Sequence, residues 1–140
     1  MKRKLFGIGL LALVFVLLFA ACGGGGTTPA EASPVGDVQT IGQGDTVFRF
    51  EMIDESGALH AWDVHTDEAI VGAALLEVGL IAGDESEWGL MVIEVNGVTA
   101  DFDADGAFWA FHIDGDFAMA GADATYIEPG VSYAFIYTQS

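Results

Sequence analysis

Beyond residue 22 this sequence has no cysteine and no lysine, and Arg49 is its one arginine. The missing thiols exclude an intramolecular disulfide, so any fold there must be held by apolar burial. The missing lysines exclude Schiff-base and lysine-nucleophile chemistry. Arg49 stands alone against all 21 acidic residues, which gives residues 22–140 a formal charge of −20. Such a chain is repelled by nucleic acid and by anionic lipid, and neither is expected as a partner. Cationic peptides, metal ions and neutral ligands stay open. The plain role of so much charge is solubility and like-charge avoidance on a cell surface.

The basic residues missing from the body are found at the start, in Met1-Lys2-Arg3-Lys4, and Leu5 to Ala21 then runs for 17 residues without a charge. A basic start, an apolar stretch and small residues before a cut site make a secretory signal rather than part of a fold. Phe19-Ala20-Ala21-Cys22, followed by Gly23 to Gly26, resembles the end of a bacterial lipoprotein signal. That resemblance implies a diacylglyceryl group on the Cys22 thiol, with Cys22 as the new N-terminus. Phe19 departs from the Leu, Val or Ile more usual at that position. The alternative is an uncleaved transmembrane anchor, since this apolar run just reaches across a thin bilayer. A cysteine before a polyglycine tether favours lipidation. The expected organisation is a lipoprotein signal peptide at 1–21, a lipidated Cys22 and flexible tether at 22–44, and one domain at 45–140. The protein is then extracytoplasmic, anchored to the bacterial cell membrane through acylated Cys22.

The domain has the Phe, Trp, Val, Ile and Leu content to build a core. Phe48, Phe50 and Met52 alternate with Arg49 and Glu51, which predicts a half-buried strand from about Thr46 to Ile53. Asp54-Glu55-Ser56-Gly57 is turn chemistry, and Ala58 to His65 reads as a second strand around Trp62. Thr66 reads as a helix N-cap with Asp67 and Glu68 in the first turn. Val71, Ala74, Leu75, Val78 and Ile81 then form one apolar stripe, and Gly79 and Gly83 end the helix. Strands follow at Leu90 to Val95, Phe108 to Ile113, Tyr126-Ile127 and Tyr133 to Tyr137. Asn96-Gly97 and Asp114-Gly115 are the tight turns among them. Two strands, one helix and several short strands predict an α+β domain.

From Thr66 to Thr138 the chain resembles the transcobalamin-like C-terminal domain family of bacterial surface proteins. The likeness rests on the helix Asp67 to Gly83, on Val92-Ile93-Glu94-Val95-Asn96-Gly97-Val98, and on Phe108-Trp109-Ala110-Phe111-His112-Ile113-Asp114-Gly115. It continues through Gly121-Ala122 and Tyr126 to Glu128-Pro129-Gly130. Asp114-Gly115 and Gly130-Val131 depart from the family's usual Asn-Gly and Gly-Asp. The resemblance implies a β-grasp-like curved sheet of short strands packed on one helix, with a corrinoid as the ligand it suggests.

Trp109, Phe111, His112 and Tyr126 are the candidate ligand-binding residues. On a strand Trp109, Phe111 and Ile113 share one face, and Phe108, Ala110 and His112 the other. The functional reading makes Trp109 an aromatic plate for a flat ligand, with His112 at the rim or on the reverse face. The structural reading makes Trp109 core. Asp101, Asp103 and Asp105 before Gly106 match the first half of a calcium loop, which makes weak calcium binding a candidate. His112 stands where that loop would place its bidentate Glu, so the alternative is a solvated acidic loop. His60 and His65 face opposite ways on a strand, which argues against a metal shared with Asp63. Ser56, Ser86 and Ser132 sit in turn-like sequence, and the sequence shows no phosphate loop, Gly-x-Ser-x-Gly or zinc spacing. The sequence predicts no enzyme. It predicts a surface binding module for a corrinoid or other small flat ligand; the alternative is an adhesion or protein-interaction module docking a partner surface protein by its edge strands.

Stable anchoring takes two or more acyl chains. A Cys22→Ala chain is therefore expected to accumulate as unlipidated precursor or to leak into the medium, seen by fractionation and mass spectrometry. Membrane retention at the normal processed mass excludes the lipoprotein reading.

Overall fold

The computed structural model describes Pro34 and residues 36–140. The signal, Cys22 and the first part of the tether lie outside the described residues. The elements run β1 (Gln39–Gly42), β2 (Thr46–Ile53), β3 (Leu59–Thr66), α1 (Val71–Glu77), β4 (Ile81–Ser86), β5 (Gly89–Val95) and β6 (Val98–Thr99). They continue through α2 (Phe102–Asp105), β7 (Ala107–Ile113), β8 (Asp116–Phe117), a 3-10 turn (Ala122–Ala124) and β9 (Ser132–Gln139). Six strands form one sheet in the order β1-β3-β2-β9-β7-β8, and β4-β5-β6 form a second. The domain is mixed α+β.

Alternation decides the main sheet. Phe48, Phe50 and Met52 of β2 are buried, and so are Trp62 and Val64 of β3, which stand opposite Phe50 and Phe48. β9 runs parallel to β2 and adds Tyr133 and Phe135 to the same inward layer. Val71, Ala74 and Leu75 of α1 complete this core. The two turns read from sequence form as expected: Asn96 and Asp114 adopt positive φ, as do Gly97 and Gly115 after them, the conformation a two-residue hairpin needs.

The helix is shorter than the sequence predicts. Thr66 ends β3 as a buried residue, and its hydroxyl accepts from the Glu68 amide, closing a turn rather than capping a helix. Ile70 then bridges Tyr126, and the Val71 amide donates to the Thr125 carbonyl at 2.9 Å. A distant backbone thus supplies the N-terminal partner that the sequence assigns to Thr66, and α1 begins at Val71 with no side-chain cap. At the other end Leu80 N donates to Leu75 O and Gly79 N to Leu76 O, the paired bonds of a Schellman motif, with Gly79 at φ +75°. Ile81 is therefore strand, not helix. Gly72 is held by close approach: a Cβ there would meet the Asp123 amide nitrogen at 2.8 Å.

Three further differences concern elements. β1 pairs parallel to β3 over Gln39–Gly42, so a strand lies inside the stretch expected as tether. Where Tyr126-Ile127 is expected as a strand, Tyr126 forms an isolated bridge to Ile70. Asp101 to Asp105 forms a short helix rather than an open loop.

The β2–β3 turn is organised by Asp54. Its Oδ1 accepts from Ser56 Oγ at 2.6 Å and from the Ser56 and Ala58 amides, and its Oδ2 lies 2.9 Å from His60 Nε2. The Ser56 hydroxyl first, and His60 next, hold this carboxyl well below the usual carboxylate range.

Leu75 is fully buried. Leu75→Ala is expected to cost about 2–5 kcal/mol in a urea unfolding curve, whereas Leu76→Ala, on the exposed side of α1, should cost about 0.5 kcal/mol or less. Asp54 binds its proton less tightly folded than unfolded, so its contribution is complete above about pH 4 and is lost as pH falls below that value. Melting temperatures followed from about pH 5 down to about pH 2 should therefore fall more steeply for the parent than for Asp54→Asn; parallel curves contradict the assignment.

Candidate binding surface

β7 pairs antiparallel with β9, setting Phe111 against Phe135 and Trp109 against Tyr137. Because Tyr133 and Phe135 already point into the core, that register draws Trp109 and Phe111 inward with them. Trp109 is 6% exposed, and its Nε1 donates to the Val98 carbonyl at 3.1 Å. Its ring meets Tyr137 edge-on at 5.4 Å. The Phe111 ring lies 5.1 Å from Phe135 and 6.2 Å from Tyr133. This corrects the aromatic-plate expectation: Trp109 and Phe111 are core residues with no open face. His112 is half-buried on the other side of the strand, with its ring edge-on to Phe117 at 5.7 Å and its Nδ1 3.4 Å from the Gly115 carbonyl. Tyr126 is exposed on the loop before β9. The structure therefore brings Trp109 and Phe111 together and leaves His112 and Tyr126 apart from them.

Two aspartates of the expected calcium loop, Asp101 and Asp105, serve their own backbone. Asp101 caps α2, its Oδ1 accepting from the Asp103 and Ala104 amides at 2.9 and 3.2 Å. Asp105 Oδ2 accepts from the Asp101 amide, and Gly106 closes the turn at φ +63°. Asp101, Asp103 and Asp105 do not converge, which corrects the calcium-loop expectation. Among the described residues no group of three His, Cys, Asp or Glu side chains is arranged to hold a metal. His60 is committed to Asp54, and Asp63 to Arg49.

Besides Val47, Leu76 and Phe117, large apolar side chains reach the surface in two places. The first is around the β4–β5 hairpin and the 3-10 turn. Asp123 ties these together, its Oδ2 accepting from the Leu90 amide at 3.1 Å. Trp88 at the hairpin tip is 90% exposed, and Met119, just before the 3-10 turn, is 97% exposed. Tyr126 follows on the same segment, and its carbonyl accepts from the Tyr133 hydroxyl at 3.1 Å. The second place is a groove of about 280 Å³ lined by Met91 and Ile93 of β5, Phe102 of α2 and Phe108 of β7, with Asp101 and Asp103 at its border. A further groove of about 260 Å³ beside Val47 and Ser132 holds the Arg49–Asp63 pair, whose Nε–Oδ1 distance is 2.8 Å. The guanidinium there is already neutralised, which leaves little attraction for an anion.

Trp88, Met119 and Phe102 are not legible as surface residues by strand periodicity. Trp88 carries a signal all the same: it sits in Asp84-Glu85-Ser86-Glu87-Trp88-Gly89, where a charged turn offers an indole no core to enter.

No protein-family model matches the chain, and no curated protein matches it. Solved structures do. One is a "putative metal binding protein" from Ruminococcus gnavus ATCC 29149, at 22% identity and a TM-score of 0.65, covering 69% of this chain and 99% of that one. Another is haptocorrin in complex with Cbi, at 14% identity and a TM-score of 0.50, covering 66% of this chain and 25% of that one. At these identities the likeness is one of fold, and this chain corresponds to a quarter of haptocorrin. The described domain is transcobalamin-like in fold.

Proposed function

We propose that this chain is a lipid-anchored, extracytoplasmic binding module that takes up a flat, largely uncharged ligand of the corrinoid class without transforming it. The β-grasp-like description of its curved sheet over α1 belongs to the same reading. The observation that carries it is the exposure of Trp88, Met119 and Tyr126 on the two segments that Asp123 joins, in a fold shared with a protein solved with a cobalamin analogue. A neutral plate edged with amides needs aromatic and apolar area, plus backbone groups at the rim. Those three side chains supply the area that the buried Trp109 and Phe111 do not. The strong negative charge neither attracts nor repels such a ligand.

An adhesion or interaction module with no small-molecule ligand is the second reading. The grooves favour it, since both fall below the roughly 300–1,000 Å³ typical of sites that enclose a small molecule.

The full-length chain in neutral detergent, titrated calorimetrically with cobalamin and with cobinamide, is expected to bind with Kd on the order of 10⁻⁶ M or weaker, because an open rim covers one side of the ligand only. Trp88→Ala is expected to weaken binding about tenfold. The absence of saturable heat at high micromolar ligand removes the corrinoid reading and leaves the interaction module.

A further inference from the structure

We propose that the groove between β5, α2 and β7 docks a basic segment of a partner protein, anchored by an apolar side chain and flanked by Lys or Arg. This site shares no residue with the Trp88 rim and stands independently of the corrinoid reading. Phe102 is 61% exposed and Met91 59% exposed, and both line the groove beside Phe108. Large apolar side chains gathered around one concavity mark an interaction site rather than ordinary surface scatter.

The occupant follows from size and charge. At about 280 Å³ the groove is too small to enclose a broad ligand but suits an anchor side chain. Ala107, Trp109 and Ala110 of β7 are buried, so Phe108 is the residue of that stretch that meets an occupant, through its side chain. Asp101 and Asp103 border the groove, and the sequence beyond residue 22 offers one arginine, already paired with Asp63. Residues 22–140 of a second copy bring a formal charge of −20 to a surface of the same sign, which disfavours self-association here. A basic partner is drawn to it by the same field, and its cations find unpaired carboxylate capacity beside the apolar seat.

The test titrates the full-length chain in neutral detergent with two short synthetic peptides, one alternating Leu and Lys, the other Ser and Lys. The Leu–Lys peptide is expected to bind with Kd on the order of 10⁻⁶–10⁻⁵ M at about 20 mM salt and more weakly at about 200 mM. Phe102→Ala should raise that Kd about tenfold. Asp101→Asn with Asp103→Asn removes both charges while an asparagine side-chain oxygen still caps α2, and should weaken binding and flatten its salt dependence. Leu76→Ser, an exposed apolar change on α1, should leave binding as it was. Melting curves accompany each variant, and Met91→Ser carries the apolar test should Phe102→Ala fail to fold. Equal affinity for the two peptides, or binding unchanged in both Phe102→Ala and Met91→Ser, reduces the effect to general charge attraction and overturns the proposal. So does the absence of binding at low salt.

Discussion

The aromatic contacts among Phe50, Phe111, Tyr133 and Phe135 join three strands that are distant in the chain, β2, β7 and β9, and the rest of the domain is arranged around them. Phe135 lies 6.2 Å from Phe50 and 5.1 Å from Phe111, and Tyr133 meets Phe48 edge-on at 5.7 Å. Trp62 extends the layer by stacking on Phe50 at 5.7 Å. With no thiol beyond residue 22 there is no covalent staple for this sheet, so cohesion falls to the area these rings bury and to their edge-to-face geometry. Placing β9 between β2 and β7 is what makes the layer continuous. The last strand of the chain is thus the middle of the sheet, and the core closes only when it arrives.

That arrangement explains which parts are legible in the sequence. Alternation of Phe48, Phe50 and Met52 fixes the inward face of β2 because Arg49 and Glu51 cannot follow them. β7 offers no such contrast: Phe108 and Trp109 put an aromatic ring on each face, and only pairing with Tyr137 and Phe135 selects Trp109 and Phe111 for the interior. The turns are legible for a local reason, since Asn96-Gly97 and Asp114-Gly115 need positive φ whatever surrounds them. The helix start is not, because Thr66-Asp67-Glu68 has a turn of its own to make, and the Val71 amide finds its acceptor in Thr125, far along the chain. β1 has no periodicity to declare it; Gln39–Gly42 is a strand because β3 has an open edge. The spacing of Asp101, Asp103 and Asp105 suits cation binding and helix capping equally, and the backbone, always present, claims the carboxylates first.

Charge and apolar exposure divide the surface into regions of different capacity. Carboxylates cover most of the domain and are ordinary for a solvated acidic protein. Apolar exposure is the exception, and its two largest instances, Trp88 and Met119, occur where irregular backbone breaks the alternation, at the β4–β5 tip and before the 3-10 turn; Phe102 of α2 is a further one, while Met91, Phe108 and Phe117 are exposed on strands. Strands can assign each side chain to a face, but the irregular segments cannot, so their large residues have no inner face to turn to. The same local irregularity that frees Trp88, Met119 and Phe102 from the core makes them the side chains with area left to offer a ligand or partner.

The rim and the core are nonetheless mechanically linked, through Tyr133. Its ring belongs to the buried aromatic layer, stacked nearly parallel to Phe111, while its hydroxyl donates to the Tyr126 carbonyl and accepts from the Glu128 amide. One side chain thus sets both the depth of the core and the path of the loop that carries Tyr126. Asp123 does the corresponding work for the hairpin, holding the Leu90 amide close behind Trp88. Two polar contacts, one rooted in the core and one at the surface, therefore position exposed aromatic area that packing alone would leave free to move. A buried hydroxyl with both its partners in place is costly to disturb, because its loss leaves polar groups unpaired next to apolar rings. The loop bearing Tyr126 is thereby tied to the core at Tyr126 and Glu128, and the exposed Tyr126 ring extends from a backbone held by a buried hydroxyl.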